Sequence, residues 1–210
     1  MSEANIFDQK AQEWDAHPAK REMAQLFAAE IKKNVALTAT MELLEFGCGT
    51  GLVSMELHRQ VASIIMLDTS PGMIEVLREK IACHAIGNLQ PRLGDLVAID
   101  PSKESFDLIY SNMALHHVVN TEQTLAELAQ LLKPCGVLCI GDLETEDGSF
   151  HQGEMQVHYG FDGQQVASTL VNLGLNIEHC YRSYTMQKTD TEGRTRNYSL
   201  FFLQARKPAS

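Results

Sequence analysis

Three glycines follow an apolar stretch early in the chain and could bind a ligand through the main chain. Gly47, Gly49 and Gly51 come directly after the apolar residues of segment 43–46. A turn without side chains lets a ligand approach the backbone and leaves amide N–H groups free to bind it. The pattern G-x-G-x-x-G fails in both reading frames, and the lysine of a phosphate-binding loop is missing. The turn therefore favours a nucleoside ligand without a phosphate bridge.

Carboxylates and imidazoles elsewhere could supply the polar chemistry of such a site. Asp68 ends an apolar segment, and its carboxylate can accept hydrogen bonds from two vicinal hydroxyls at once. Glu45, just before the glycines, is placed to attract a cationic group. His116 and His117 are adjacent, and an imidazole there could take a proton from a substrate hydroxyl. A structural role for these histidines is favoured over catalysis, and only one of the pair is expected to face the ligand.

The elements that must position these residues alternate between strand and helix. Helices are predicted over 19–33, from Leu52 to Leu57, after Ser70-Pro71 as far as Gly87-Asn88, after Asn120, and near 164–173. Strands are predicted at 41–46, 62–68, 89–95, 106–112, 136–142, 176–186 and 197–206. This alternation predicts an α/β fold with a mostly parallel sheet, helices on both faces and a closing antiparallel hairpin.

Composition narrows the class of protein further. The chain has 210 residues, which suits one domain, and a net charge of −10 that argues against a nucleic-acid partner. No apolar run approaches the length of a membrane span, and the first residues lack a secretory signal. The five cysteines include no C-x-x-C pair, so reduced thiols are expected. A cytoplasmic protein without a membrane partner is the expectation.

The sequence LLEFGCGTGL resembles motif I of the class I S-adenosylmethionine-dependent methyltransferases. Further segments resemble the later motifs of that family in order: TSPGM at 69–73, Gly94-Asp95, FDLIYSNMALHHV at 106–118 and LLKPCGVLCIGD at 131–142. The resemblance covers residues 41–142 and implies a Rossmann-like, doubly wound sheet of seven strands. It also implies S-adenosylmethionine as the cofactor and S-adenosylhomocysteine as its product.

The family's motifs imply particular contacts for this chain. Asp68 would hold both ribose hydroxyls, Met73 would pack on adenine, and Asp95 would receive the adenine amino group. The side chain of Cys48 is expected to pack inward rather than act as a nucleophile. The full set of implied cofactor-binding residues is Trp14, Glu45, Gly47, Cys48, Gly49, Asp68, Thr69, Met73, Asp95, Leu96, Asn112 and Met113.

Segments outside these motifs complete the expected single domain of residues 1–210. Residues 1–35 are predicted to form a helical lid, because segment 7–18 resembles segments that cover the cofactor in smaller members of the family. Residues 143–210 are expected to form the substrate side and the hairpin. In segment 149–162, pocket lining is favoured over a metal site built from His151, His158 and Glu154, so no metal is assigned.

The expected reaction is methyl transfer to a small molecule by direct in-line displacement, which mainly needs alignment and exclusion of water. Two alternatives stay open: a protein acceptor, and a regulatory domain that binds the cofactor without transferring methyl groups. The sequence names neither the accepting atom nor the oligomeric state. One departure from the family is Cys135, which stands where K-P-G-G has its first glycine. A type I turn is expected there, because cysteine tolerates positive φ poorly.

Overall fold

The computed structural model describes residues 3–102, 105–151, 158–189 and 193–209. Within these ranges strands and helices alternate along the chain as the sequence predicts. The helices are α1 (Glu3–Trp14), α2 (Pro18–Asn34), α3 (Leu52–Leu57), α4 (Pro71–Cys83), α5 (Thr121–Leu131) and α6 (Gly163–Asn172). The strands are β1 (Glu42–Phe46), β2 (Ser63–Asp68), β3 (Leu89–Leu93), β4 (Phe106–Asn112), β5 (Leu132–Leu143), β6 (Asn176–Thr189) and β7 (Thr195–Arg206).

The strands form one seven-stranded sheet in the order β3-β2-β1-β4-β5-β7-β6. The pairs β1–β2, β2–β3, β1–β4 and β4–β5 are parallel, whereas β7 is antiparallel to both β5 and β6. The predicted class is thereby confirmed: a Rossmann-like α/β sheet, mostly parallel, with a C-terminal antiparallel hairpin. The strand order reverses between β1 and β4, and a crevice opens at such a reversal beyond the carboxyl ends of the strands.

Helices bury both faces of the sheet. On one face, Phe27 of α2, Leu57 of α3 and Leu77 of α4 belong to one apolar cluster with the sheet. On the other face, Leu128 of α5 and Leu170 of α6 belong to a second cluster. Burial on both faces explains why the central strands read as continuous apolar runs in the sequence. Within the described ranges, no helix combines the length and apolarity that crossing a bilayer requires.

Side-chain caps begin the helices where the sequence predicts. Ser70 caps α4 by accepting a hydrogen bond from Met73 N at 3.2 Å, and Pro71 occupies the first helical turn. Asn120 caps α5 by accepting from Gln123 N, also at 3.2 Å. Both caps satisfy a backbone N–H that has no partner inside the helix. They fix where each helix begins, directly after the loops that border the crevice.

The turn around Cys135, which lies within the first part of β5, differs from its prediction. Cys135 has a φ of +63°, so the expected type I turn is wrong and the positive φ is kept without glycine. The reason lies in the pairing of β4 with β5, where Phe106 pairs with Leu132 but Leu108 pairs with Val137. The extra residues on β5 must bulge out between two fixed pairs. That constraint holds Cys135 in a conformation which cysteine rarely adopts.

Candidate active site

The glycine turn after β1 is crowded on one side and open on the other. Gly47 has a φ of +69°, and a Cβ atom placed on it would collide with the Cβ atom of Ala114. At Gly49, with a φ of +52°, an added Cβ would have only Trp14 Nε1 at 3.9 Å and Met73 Sδ at 4.0 Å near it. The turn therefore packs tightly against the loop after β4, while its second glycine borders open space.

Asp68 lies at the carboxyl end of β2, beside this turn. Its carboxylate accepts hydrogen bonds from Gly49 N at 2.6 Å and from Ser70 N at 2.9 Å. Burial raises the pKa of Asp68, although these N–H donors act in the opposite direction. A carboxylate offers about four lone-pair directions, so acceptor capacity remains for a ligand's hydroxyl groups. Asp68 thus fits the ribose of a nucleoside, as the sequence resemblance implies.

A single cavity of about 1130 Å³ runs along the carboxyl ends of β1, β2 and β4. Both adjacent histidines, His116 and His117, line this cavity, and the expectation that only one of them faces the ligand stays a prediction. The pair lies in a short 3-10 helix that follows β4. The cavity is also lined by every residue that the resemblance implied for the cofactor: Trp14, Glu45, Gly47, Cys48, Gly49, Asp68, Thr69, Met73, Asp95, Leu96, Asn112 and Met113.

Glu45 reaches the cavity from β1 but is otherwise enclosed. Its carboxyl accepts a hydrogen bond from Ser54 Oγ, whose oxygen lies 2.6 Å from Tyr110 Oη. Burial raises the pKa of Glu45 to about 8. Glu45 therefore carries a proton at neutral pH in the free protein, which differs from the anionic side chain expected from the sequence. A cation bound next to it would favour the carboxylate again.

Helix α1 covers the cavity and is fastened to the glycine turn and to α4 by two aspartates. Asp8 Oδ1 accepts hydrogen bonds from Ser70 Oγ at 2.6 Å and from Gly72 N at 2.8 Å. Asp15 accepts from Thr50 Oγ1 at 2.5 Å and forms an ion pair with Lys80. These polar contacts hold α1 over the end of the cavity where Asp68 and the glycines lie.

Aromatic and basic side chains form the inner surface of this cover. Phe7 and Trp14 lie edge to face with ring centroids 5.8 Å apart, and Lys20 Nζ lies 2.9 Å from the centroid of the Trp14 ring. Burial, together with the positive charges of Lys10 and Lys188, lowers the pKa of Lys20 to about 8. Lys20 lies within the predicted lid of residues 1–35, but no sequence pattern singled it out.

Three histidines meet at the wall of the cavity, where the ring of His117 also lies edge to face with Phe7. His116 is buried, and its Nδ1 lies 2.6 Å from Asp142 Oδ1. The carboxylate accepts, so Nδ1 carries the hydrogen of this bond and Nε2 lies on the side of the ring away from Asp142. The rings of His117 and His151 pack on His116, with centroids 4.1 Å and 5.1 Å away. Burial and both neighbouring histidines lower the pKa of His117 to about 2, so this imidazole is neutral.

The remaining candidates occupy other positions. His158 lies outside the cavity lining. Its backbone N–H donates a hydrogen bond to His116 O, and its ring Nε2 lies 2.9 Å from Val118 O. Glu154 lies outside the described residues. Asp142 is fully buried and lies outside the cavity lining. The side chain of Cys48 packs into the core, as expected, and burial raises its pKa. The histidine cluster therefore joins His151 to the His116-His117 pair, which sequence reasoning had kept separate.

Comparison with known proteins agrees with this geometry. A family model described as a methyltransferase domain matches residues 43–136. An uncharacterised methyltransferase of Schizosaccharomyces pombe is 30% identical over 154 residues, covering 65% of this chain and 54% of the relative. A demethylmenaquinone methyltransferase of Tropheryma whipplei is 34% identical over 110 residues, covering 51% of this chain and 44% of the relative. The chain thus spans about half the length of these curated relatives.

A solved structure has the same fold over most of both chains. The YcgJ protein of Bacillus subtilis aligns with a TM-score of 0.74 at 14% identity, covering 89% of this chain and 100% of that one. The doubly wound sheet, the glycine turn and the acid after β2 are typical of α/β domains that bind nucleoside-type ligands. Residues 43–136 thus match a methyltransferase domain, and the chain as a whole has the Rossmann-like fold of solved methyltransferases.

Proposed function

We propose that this protein transfers the methyl group of S-adenosylmethionine to a small-molecule acceptor by direct in-line displacement. The observation that carries the proposal is the single cavity that joins the glycine turn and Asp68 to the histidine cluster. Its volume of about 1130 Å³ exceeds the range of roughly 300–1,000 Å³ that is usual for one ligand. This size supports a site for a cofactor and an acceptor side by side.

The cofactor would lie at the Asp68 end of the cavity. Asp68 would accept from the ribose hydroxyls, and Asp95 would receive the adenine amino group beside the apolar side chains of Met73 and Leu96. The amino-acid part would then extend past the glycine turn under α1. The ammonium of Lys20, held over Trp14, is placed to attract the carboxylate of that amino acid.

The bound cofactor supplies a methyl group that its sulfonium already activates. The protein must then align the acceptor with that methyl and exclude water from the reaction. Helix α1, with Phe7 and Trp14 on its inner surface, supports the exclusion of water. Glu45 borders the sulfonium position, where its ionised form would stabilise the positive charge. The acceptor would approach from the end of the cavity formed by His116 and His117.

A small acceptor is favoured over a macromolecule by the surroundings of the cavity. Helix α1 covers it, and the net charge of −10 is unsuited to nucleic acid. The relative from Tropheryma whipplei is named for demethylmenaquinone, which supports a small acceptor for this chain too. Two other functions remain to be tested against this one: methylation of a protein, and cofactor binding without transfer.

Two measurements together test the proposal. Calorimetry should detect S-adenosylmethionine binding, which Asp68→Asn weakens by about 1.5–3 kcal/mol because a charged acceptor is lost. Glu75→Gln, an exposed position on the same side of the sheet in α4, serves as the matched control and should leave the affinity unchanged. Incubation with methyl-labelled cofactor and a metabolite panel should then place label in small molecules. Label in protein, or tight binding without any transfer, would replace the proposal by one of its alternatives.

A further inference from the structure

The histidine cluster contains more imidazoles than proton transfer needs. One ring nitrogen from each of His116, His117 and His151 lies within 4.8 Å of the corresponding nitrogens of the other two. A general base requires a single imidazole with one oriented lone pair. Three imidazoles in mutual ring contact, meeting at the edge of a cavity, are instead typical of a set of metal ligands.

The buried ring nitrogens of two members face no hydrogen-bond partner within the described part of the chain. These are His116 Nε2 and His117 Nδ1. The side chain of His116 is only 1% exposed, so water does not satisfy its nitrogen from bulk solvent. A buried polar atom without a partner is unfavourable by about 1–3 kcal/mol. A metal ion would use both lone pairs at once and would remove this cost.

Asp142 supplies the outer contact that ligating histidines usually have. It accepts a hydrogen bond from His116 Nδ1 at 2.6 Å and is itself bonded to Leu143 N at 2.7 Å. A carboxylate in this position fixes the tautomer, orients the ring and makes the other nitrogen a stronger ligand. His116 Nε2 is therefore already oriented as a metal ligand would be.

We propose that His116, His117 and His151 bind one divalent transition-metal ion of the zinc type, with its fourth position open to the acceptor end of the cavity. Three imidazoles and one open position match the ligand number of zinc sites that act on substrates. With bonds of about 2.0–2.1 Å, tetrahedral ligand nitrogens lie about 3.3 Å apart. Ring rotations that draw the nitrogens inward from their present separation within 4.8 Å would complete the site.

The open position defines the chemistry of the acceptor, and this step rests on the proposed function. An acceptor that carries a thiol or a phenol-like hydroxyl would bind the ion through its sulfur or oxygen. The metal lowers the pKa of such a group, so its proton passes to solvent before the methyl arrives. The ionised atom then forms the new bond to carbon. The sulfonium sulfur keeps the electron pair of the bond that breaks and becomes a thioether.

Cobalt and zinc, added alone to metal-free full-length protein, test the site without any assay of activity. Cysteines are the competing ligands, so the exposed thiols are first removed as Cys83→Ser and Cys135→Ser. Co²⁺ should then bind one ion per chain and give the intense visible absorption of a four-coordinate complex. Competition with a chromogenic chelator gives the Zn²⁺ affinity of the same protein.

Variants separate the proposed ligands from other histidines. His151→Ala and His117→Ala should each weaken Zn²⁺ binding by at least about tenfold and abolish the visible band of cobalt. His84→Ala, at the exposed end of α4, is the matched control and should retain both. Thermal unfolding confirms that each variant is folded. If His117→Ala fails to fold, the partly exposed His151 decides the result.

The outcomes distinguish this inference from the proposed function. A cobalt spectrum of the free hydrated ion, or equal Zn²⁺ affinity in the parent protein and in His151→Ala, overturns the metal site. S-adenosylmethionine binding and methyl transfer that persist in such a protein would leave the proposed function intact. Zinc binding that depends on His151, in a protein that does not bind S-adenosylmethionine, overturns the proposed function and leaves the metal site standing.

Discussion

Asp142 and His116 form a buried pair in which the carboxylate Oδ1 lies 2.6 Å from the imidazole Nδ1. The two residues come from different segments, β5 and the loop after β4, and they meet directly behind the cavity wall. The pair determines which nitrogen of His116 faces the cavity. Loss of the carboxylate charge should therefore affect the acceptor end while the cofactor end is unchanged.

Asp142→Asn tests this pair. The amide can hydrogen-bond to His116 in either orientation, so the tautomer is no longer fixed, and turnover should fall by about 10- to 100-fold. The dissociation constant of S-adenosylmethionine, measured by calorimetry, should stay within about twofold, because Asp142 lies behind the histidines and not at the cofactor end. Asp162→Asn, the exposed cap of α6, is the control for the same chemical change. Equal turnover in the two variants would show that Asp142 does not position His116.

Trp14→Ala tests the role of α1 as a cover. The indole ring lies against Gly49 and beneath Lys20, so its removal should raise the cofactor dissociation constant by about 5- to 50-fold, as expected for loss of a large buried contact of about 1–2 kcal/mol. Gln12→Ala, on the exposed side of the same helix, should leave the constant unchanged. If calorimetry finds the same affinity for both variants, Trp14 does not contact the cofactor.

Glu45 should make cofactor binding depend on pH. Its pKa of about 8 means that the free protein carries a proton there at pH 7, and a cationic ligand favours the carboxylate. Binding should therefore release roughly one proton, and affinity should rise as pH increases from about 6 to 8. Calorimetry in buffers of different ionisation enthalpy measures the release. Glu45→Gln should release none, and an identical release in that variant would assign the proton to another group.

The carboxyl group of Glu45 should also make the free energy of unfolding decrease as pH rises. Its pKa rises from an ordinary value of 4.5 to about 8 on folding, so the folded state binds more protons than the unfolded state between those values. The free energy of unfolding contributed by this group therefore decreases as pH increases across that window. Urea unfolding of Glu45→Gln at several pH values should show a flatter dependence than the parent protein. Parallel curves for the two proteins would contradict the assignment.

Gly47→Ala should lower the free energy of unfolding by more than the positive φ of Gly47 alone accounts for. A left-handed conformation costs a non-glycine residue about 1–2 kcal/mol, and the collision with Ala114 should raise the total to about 2–5 kcal/mol. Gly174→Ala is the matched control, because its φ is +87° but nothing lies within 4 Å of an added Cβ. Urea unfolding without ligand gives both values. Equal losses would mean that Ala114 moves aside without cost.

The sequence predicted the fold well because local signals agreed with one another. Apolar runs predicted the buried strands, and the capping residues Ser70 and Asn120 predicted where α4 and α5 begin. The glycine turn and Asp68 were also predictable, since both lie at the ends of adjacent strands. The glycine turn and Asp68 are close in the sequence, and their geometry follows from the unit of β1, α3 and β2.

The acceptor end of the cavity could not be predicted in the same way. His151 lies 34 residues beyond His117, after β5, and no spacing rule connects the two. Their contact depends on the path of the chain after β5, which no local pattern determines. The same holds for Cys135, where pairing of strands on both sides of the turn prevailed over the conformational preference of the residue.

Asp8 and Asp15 join α1 and the residue that follows it to the glycine turn and to α4. These contacts must break before α1 can move away from the cavity that it lines. Access to the cavity is therefore coupled to the two elements that border the glycine turn.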